Sequence, residues 1–184
     1  ENREWPFGYR ETDPMGGYDP YSSSKGCAEL VTSAYRRSYF SGNGAASIGS
    51  ARAGNVIGGG DWAEDRLIPD IVRAVASGQP VHVRNPATTR PWQHVLEPLS
   101  GYLNLGYALL FDDKLHGEGF NFGPRSEQNH TVVQVLEDLG QHWNFKNEDE
   151  AFVITDNIPF HEAGLLKLNC DKSLFYLGWQ ANLD

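Results

Sequence analysis

Tyr21 and Lys25 are the residues of this chain whose types and spacing suit chemistry most directly. They lie four positions apart in Asp19-Pro-Tyr-Ser-Ser-Ser-Lys-Gly-Cys-Ala-Glu29, a spacing that sets two side chains one above the other on a helix face. A cation beside a phenol favours the phenolate, which suits a tyrosine to take up and return a proton near neutral pH. A lone pair of this kind is most often half-buried helix surface, so the surroundings decide. The next polar cluster is Arg52-Ala-Gly-Asn-Val-Ile-Gly-Gly-Gly-Asp-Trp62, whose glycines suit a sharp bend or a close approach of backbone to a ligand.

The elements that must position these groups follow from pattern. Residues 1–18, rich in Gly, Pro and charge, read as a loop, with Trp5, Phe7 and Tyr9 alternating as a short strand or as anchors. Pro20 suits the first turn of a helix over 20–40, continued by Leu30, Val31, Ala34 and Tyr35 and stopped by Ser41-Gly-Asn-Gly44. Residues 45–53 read as a weak strand leading into the glycines, and ligands of open α/β sheets sit at strand ends. Arg66-Leu-Ile-Pro-Asp70 opens a second helix that Gly78 and Pro80 end, and Val81 to Arg84 alternates like a strand. Leu96 to Phe111 predicts a buried core helix with Leu99, Tyr102, Leu103 and Tyr107 along one face. Gly119 to Arg125 reads as a strand and turn. Thr131-Val-Val-Gln134 fits a capping box opening a helix that carries Val132, Leu136, Leu139 and Trp143.

Composition sets the bounds. The 184 residues, 40% hydrophobic and 21% charged, suit a soluble domain with room for a smaller lobe. A net charge of −9 argues against broad binding to nucleic acid or a membrane surface. It leaves room for a nucleotide, because two or three placed arginines hold a diphosphate. No run approaches the ~18 apolar residues of a membrane span. The opening Glu1-Asn-Arg-Glu-Trp-Pro6 lacks a signal-peptide pattern, and a cytoplasmic protein is expected. Cys27 and Cys170 have no metal or redox spacing and are expected as buried free thiols. His161 and Glu162 are too few ligands for a metal, and none is expected.

The segment Asp-Pro-Tyr-Ser-x-Ser-Lys, with Glu29 behind it, resembles the active-site helix of the extended short-chain dehydrogenase/reductases that act on nucleotide sugars. Arg52 to Trp62, Arg66-Leu-Ile-Pro-Asp70, Thr88-Thr-Arg-Pro-Trp-Gln-His-Val-Leu-Glu-Pro98, Leu166-Lys-Leu-Asn-Cys-Asp-Lys172 and Leu177-Gly-Trp179 follow in that family's order. The wording is most similar to members that dehydrate CDP-glucose, although Pro91 stands where the family usually has Asp. The resemblance implies an α/β, Rossmann-like NAD-binding fold, here N-terminally incomplete, with a smaller mixed α/β substrate-binding lobe. Residues 1–55 and 88–120 would belong to the first, and 56–87 and 121–184 to the second.

The same resemblance implies that Tyr21 transfers the proton and that Lys25 binds the nicotinamide ribose, with Arg52 beside them at the NAD cofactor. Asn55, Arg66, Leu67, Arg84, Arg90 and Arg125 would surround CDP-glucose. Arg90 would grip a diphosphate oxygen, which a guanidinium fork reads bidentately, and His94 would be a structural hydrogen-bonder. In the implied reaction, hydride leaves carbon 4 of the glucose while Tyr21 takes the hydroxyl proton. Water is then lost across carbons 5 and 6, and hydride returns to carbon 6, giving a 4-keto-6-deoxy sugar for deoxysugar and O-antigen precursors. A homo-oligomer joined through the helix over 20–40 is also implied. An epimerase on the same fold and a sugar-nucleotide-binding protein without chemistry are the alternatives. The Gly-rich turn of a dinucleotide-binding half is not found, since Gly58-Gly-Gly60 follows the Tyr21 helix. The expectation is a fragment of a longer enzyme, poorly soluble, inactive and weak in NAD⁺ binding by itself.

Overall fold

The structure is a computed structural model that describes residues 3–143, 152–155 and 164–183; the His161 and Glu162 pair lies outside these. Helix α1 (Pro20–Tyr39) starts where the sequence places it. The Asp19 carboxylate caps it, accepting the Ser22 amide at 2.9 Å and the Ser22 hydroxyl at 2.7 Å, with Pro20 in the first turn. These bonds hold the Asp19 carboxyl below its ordinary pKa. The strand expected over 45–53 is confined to β1 (Ser50–Ala53). A second strand, β2 (Asn55–Ile57), follows at the head of the glycine-rich stretch. Gly54 between them answers a close approach: a Cβ there would lie 2.5 Å from the Pro91 carbonyl oxygen.

Beyond β2 come α2 (Leu67–Ser77), β3 (Val81–Val83), β4 (Trp92–His94), α3 (Leu96–Leu109), β5 (Gly119–Phe122), α4 (Val132–His142), β6 (Phe152–Ile154) and α5 (Asp171–Leu177). Gly78 ends α2 in the left-handed conformation, φ 63°. The capping box expected at Thr131 and Gln134 is present at the start of α4. The described strands pair in parallel: β1 with β5 (Arg52 opposite Asn121), β2 with β4 (Asn55 opposite Trp92) and β3 with β6 (Val81 opposite Phe152). Parallel pairs need crossovers, and the helices supply them, α3 and α5 lying on β5 and α2 on β3.

Two apolar clusters result. The first joins Leu105, Leu115, Phe120, Phe122, Trp179 and Ala181; the second joins Ile71, Val81, Val83 and Leu136. Residues 171–181, expected with the lobe, pack on the first. The Trp179 ring meets Phe122 edge-on at 4.9 Å between centroids, and its Nε1 donates to Ser100 Oγ at 2.9 Å.

Two expectations are corrected. Leu99, Leu103 and Tyr107 of α3 are exposed, Leu103 by 77%, and Tyr102 at the margin meets Phe122 edge-on at 5.6 Å between centroids, while Glu97, Pro98, Gly101 and Leu105 are buried. Apolar residues surround this helix, so their period does not choose a face. Gly101 chooses it, since a Cβ there would meet Phe122 Cδ1 at 2.2 Å. Glu97 reinforces it: its Oε1 accepts the amides of Asn182 at 3.1 Å and Leu183 at 2.7 Å. The second correction concerns the thiols, for Cys27 is exposed. Cys170 is half-buried, its thiol donating to the Gly123 carbonyl and pushed up to about 12 by burial. Among the described residues no helix is long and apolar enough to cross a membrane.

Candidate functional site

Tyr21 stands in the first turn of α1 and Lys25 one turn later, with Nζ 5.2 Å from the centroid of the phenol ring. Both side chains are exposed. The first turn is tied down locally: Ser24 Oγ donates to the Tyr21 carbonyl at 2.7 Å, and Ser23 Oγ to the Gly17 carbonyl at 3.2 Å.

Beside Tyr21 opens a cavity of about 1170 Å³, walled by β2, the loop into α2, the end of β3 and residues 88–92. Asn55, Arg66, Leu67, Arg84 and Arg90 line it together with Tyr21. Six residues from five places along the chain thus converge on one space, large enough for a nucleotide-sized ligand. Arg66 Nη1 lies 3.5 Å from Asp61, and Arg84 Nη2 lies 2.6 Å from Asp65. Both pairs are exposed and so weakly held that an anionic ligand can compete for the guanidinium groups. Arg90 donates to the Thr89 carbonyl at 2.9 Å.

Lys25, Arg52 and Arg125 do not line the cavity. Arg52, expected at the cofactor, is engaged within the protein. Its Nε donates to Glu29 Oε1 at 2.7 Å and its Nη1 to the Glu11 carbonyl at 3.2 Å. That hydrogen bond from Arg52 holds the Glu29 carboxyl below the usual carboxylate range. Arg125 is exposed past β5, with Nε 3.4 Å from the Ala181 carbonyl. His94 is exposed and its Nδ1 accepts the Leu96 amide at 3.3 Å, the structural role expected of it.

Sequence reasoning missed Trp62, Asn85 and Thr88, which also line the cavity, and Glu29, whose spacing of one turn beyond Lys25 was the available signal. Among the described residues no group of three or more His, Cys, Asp or Glu could hold a metal ion. Chemically, the arrangement offers one phenol backed by an ammonium, two carboxamides and three guanidinium groups. That set can hold a phosphorylated polyol and move a proton at its edge.

Residues 4–108 match the NAD dependent epimerase/dehydratase family. The chain is 52% identical to the CDP-glucose 4,6-dehydratase of Salmonella typhimurium, over 97% of this chain and 50% of that protein. It is 26% identical to a trifunctional UDP-glucose 4,6-dehydratase, epimerase and reductase of Arabidopsis thaliana, over 94% of this chain and 24% of that protein. The chain therefore spans half the length, or less, of the curated relatives it matches. Among solved structures it is similar to the dTDP-glucose 4,6-dehydratase DesIV of Streptomyces venezuelae with NAD and TYD bound. The TM-score there is 0.77 at 21% identity, covering 97% of this chain and 51% of that one. The UDP-glucose 4-epimerase of Thermotoga maritima gives a TM-score of 0.75 at 20% identity, covering 97% and 53%. These likenesses bear out the α/β, Rossmann-like fold expected from the sequence.

Proposed function

The chain belongs to the NAD dependent epimerase/dehydratase family, and from that membership we propose that it forms part of an enzyme that dehydrates CDP-glucose to CDP-4-keto-6-deoxy-glucose, with NAD as cofactor. The carrying observation is the single cavity onto which Tyr21, Asn55, Arg66, Arg84 and Arg90 open, with Lys25 stacked behind the phenol. The identity with the Salmonella protein supports a CDP sugar over other nucleotides.

Tyr21 takes the proton of the carbon 4 hydroxyl as that carbon is oxidised. Lys25 offers the phenolate a counter-charge and the nicotinamide ribose a hydrogen-bond donor. The fit to this end of the cofactor rests on the exposed phenol and ammonium lying side by side at the start of α1. NAD⁺, when bound, supplies the reversible hydride acceptor. Arg90, with Arg66 and Arg84, grips the diphosphate, and the Asn55 amide orients the sugar. Leu67 covers the apolar side of the ligand.

Leu30, Val31, Tyr35 and Tyr39 of α1, Leu103 and Tyr107 of α3, and Leu110 and Phe111 just past its end are all exposed. Apolar helix faces of this extent support the expected homo-oligomer. A cytoplasmic location accords with an enzyme of nucleotide sugars.

The test is a mass-spectrometric assay of the full-length gene product with NAD⁺ and a panel of glucose nucleotides. Loss of one water from the CDP sugar alone is expected. An isomer of unchanged mass would assign an epimerase, and binding without conversion a sugar-nucleotide-binding protein.

A further inference from the structure

We infer that Glu29 and Arg52 are positioning residues that set the orientation of the Tyr21/Lys25 helix, and that Arg52 is not a cofactor ligand; this rests on the proposed role of that helix. The first observation is what α1 lacks: none of its residues, Pro20 to Tyr39, is buried. Apolar burial therefore does not fix its rotation against the sheet among the described residues. The inward contacts it does make there are polar.

Glu29 lies one helical turn beyond Lys25 and two beyond Tyr21, on the same face. Arg52, on β1, donates its Nε to the Glu29 carboxylate at 2.7 Å. The other arm of the guanidinium holds the Glu11 carbonyl, in the loop that feeds α1, at 3.2 Å. Glu11 Oε1 in turn accepts the amide of Asn121 at 2.7 Å, and Asn121 is the β5 partner of Arg52 in register. The network Glu29–Arg52–Glu11–Asn121 thus clamps the helix and its lead-in loop to two paired strands. Gly119 makes room for it, since a Cβ there would lie 3.3 Å from Arg52 Nη2.

After one intervening residue past the end of β1, β2 begins at Asn55, three residues past Arg52. One ion pair therefore relates the phenol to the carboxamide across the cavity. Misplacing a reacting group by about 1 Å costs on the order of 10²-fold in rate, so a loose helix shows in turnover before it shows in binding.

The test uses the full-length enzyme with Arg52→Ala and Glu29→Gln. Arg52→Ala is expected to lower kcat by roughly 10- to 100-fold, with KM for CDP-glucose and for NAD⁺ each within about threefold. Added guanidinium ion is expected to restore part of kcat. Hydrogen exchange of the amides of residues 20–29 quickens. Glu29→Gln, which keeps the shape and loses the charge, shows the same division between kcat and KM in weaker form, and decides the matter if Arg52→Ala does not fold. A large rise in KM for NAD⁺ at unchanged kcat would return Arg52 to the cofactor and overturn the inference. So would unchanged kcat together with unchanged exchange. A wild-type enzyme that converts no nucleotide sugar would sink the proposed function, while the exchange measurement still decides whether Arg52 orients the helix.

Discussion

The Lys25 ammonium lies 5.2 Å from the centroid of the Tyr21 ring, one helical turn along α1. At that distance the cation is attracted to the ring face, which favours its place beside the phenol on an exposed helix surface. Tyr21→Phe preserves this stacking and removes only the hydroxyl. Because Tyr21 is 71% exposed, the melting temperature should stay unchanged, while kcat falls by roughly 10²- to 10⁴-fold, the worth of a placed acid/base. Steady-state turnover and a thermal melt on the same preparation check both halves.

The parts that were legible in the sequence are those decided locally. Asp19 and Pro20 announce the start of α1, Thr131 and Gln134 that of α4, and Gly78 the end of α2, because each cap closes within a few residues. The inward face of α3 was not legible, since it is chosen by Gly101 against Phe122 and by Glu97 against Leu183, partners distant in the chain. The break between β1 and β2 has a related cause: Gly54 serves the approach of Pro91, 37 residues on. At the site, the residue types that could meet a diphosphate were visible. Which arginine lines the cavity and which is tied to Glu29 was not. Arg90 and Arg52 look alike in sequence, and only the placement of Glu29 and Gly119 around Arg52 separates them.

That separation extends to Arg125. Arg90 lines the cavity and Arg125 does not. Replacing Arg90 by Ala removes a charge-assisted contact worth about 1.5–3 kcal/mol, so CDP should bind roughly 10- to 100-fold more weakly. Arg125→Ala should leave the affinity within about twofold. Calorimetric titration of both variants with CDP makes the comparison, and equal losses would remove Arg90 from the diphosphate site.

Gly101 offers a test of packing alone. A methyl group there would lie 2.2 Å from Phe122 Cδ1, and that ring is backed by Trp179 at 4.9 Å, leaving it little room to retreat. Gly101→Ala should cost about 1–3 kcal/mol through overpacking. At Gly106, in the same helix, a Cβ would meet nothing within 4 Å. Gly106→Ala should therefore be neutral or stabilising by up to about 1 kcal/mol, the helix preference for Ala over Gly. Denaturant unfolding of the pair separates packing from helix propensity.

Acid should weaken the clamp on α1. The hydrogen bond from Arg52 to Glu29 depresses the carboxyl below its ordinary 4.5, against the opposing effect of desolvation. Between that depressed value and 4.5 the unfolded chain binds more protons at this site than the folded one, so stability rises with pH there. The contribution is present in full above 4.5 and is lost as the pH falls through the folded value. Glu29→Gln abolishes it at every pH. The wild-type and variant unfolding free energies should therefore lie apart at neutral pH by no more than about 1 kcal/mol, the range of solvent-screened pairs. They should converge as the solution is taken below the carboxylate range. Urea unfolding at a series of pH values measures both curves; a gap that persists in acid would mean that Glu29 acts by shape rather than by charge.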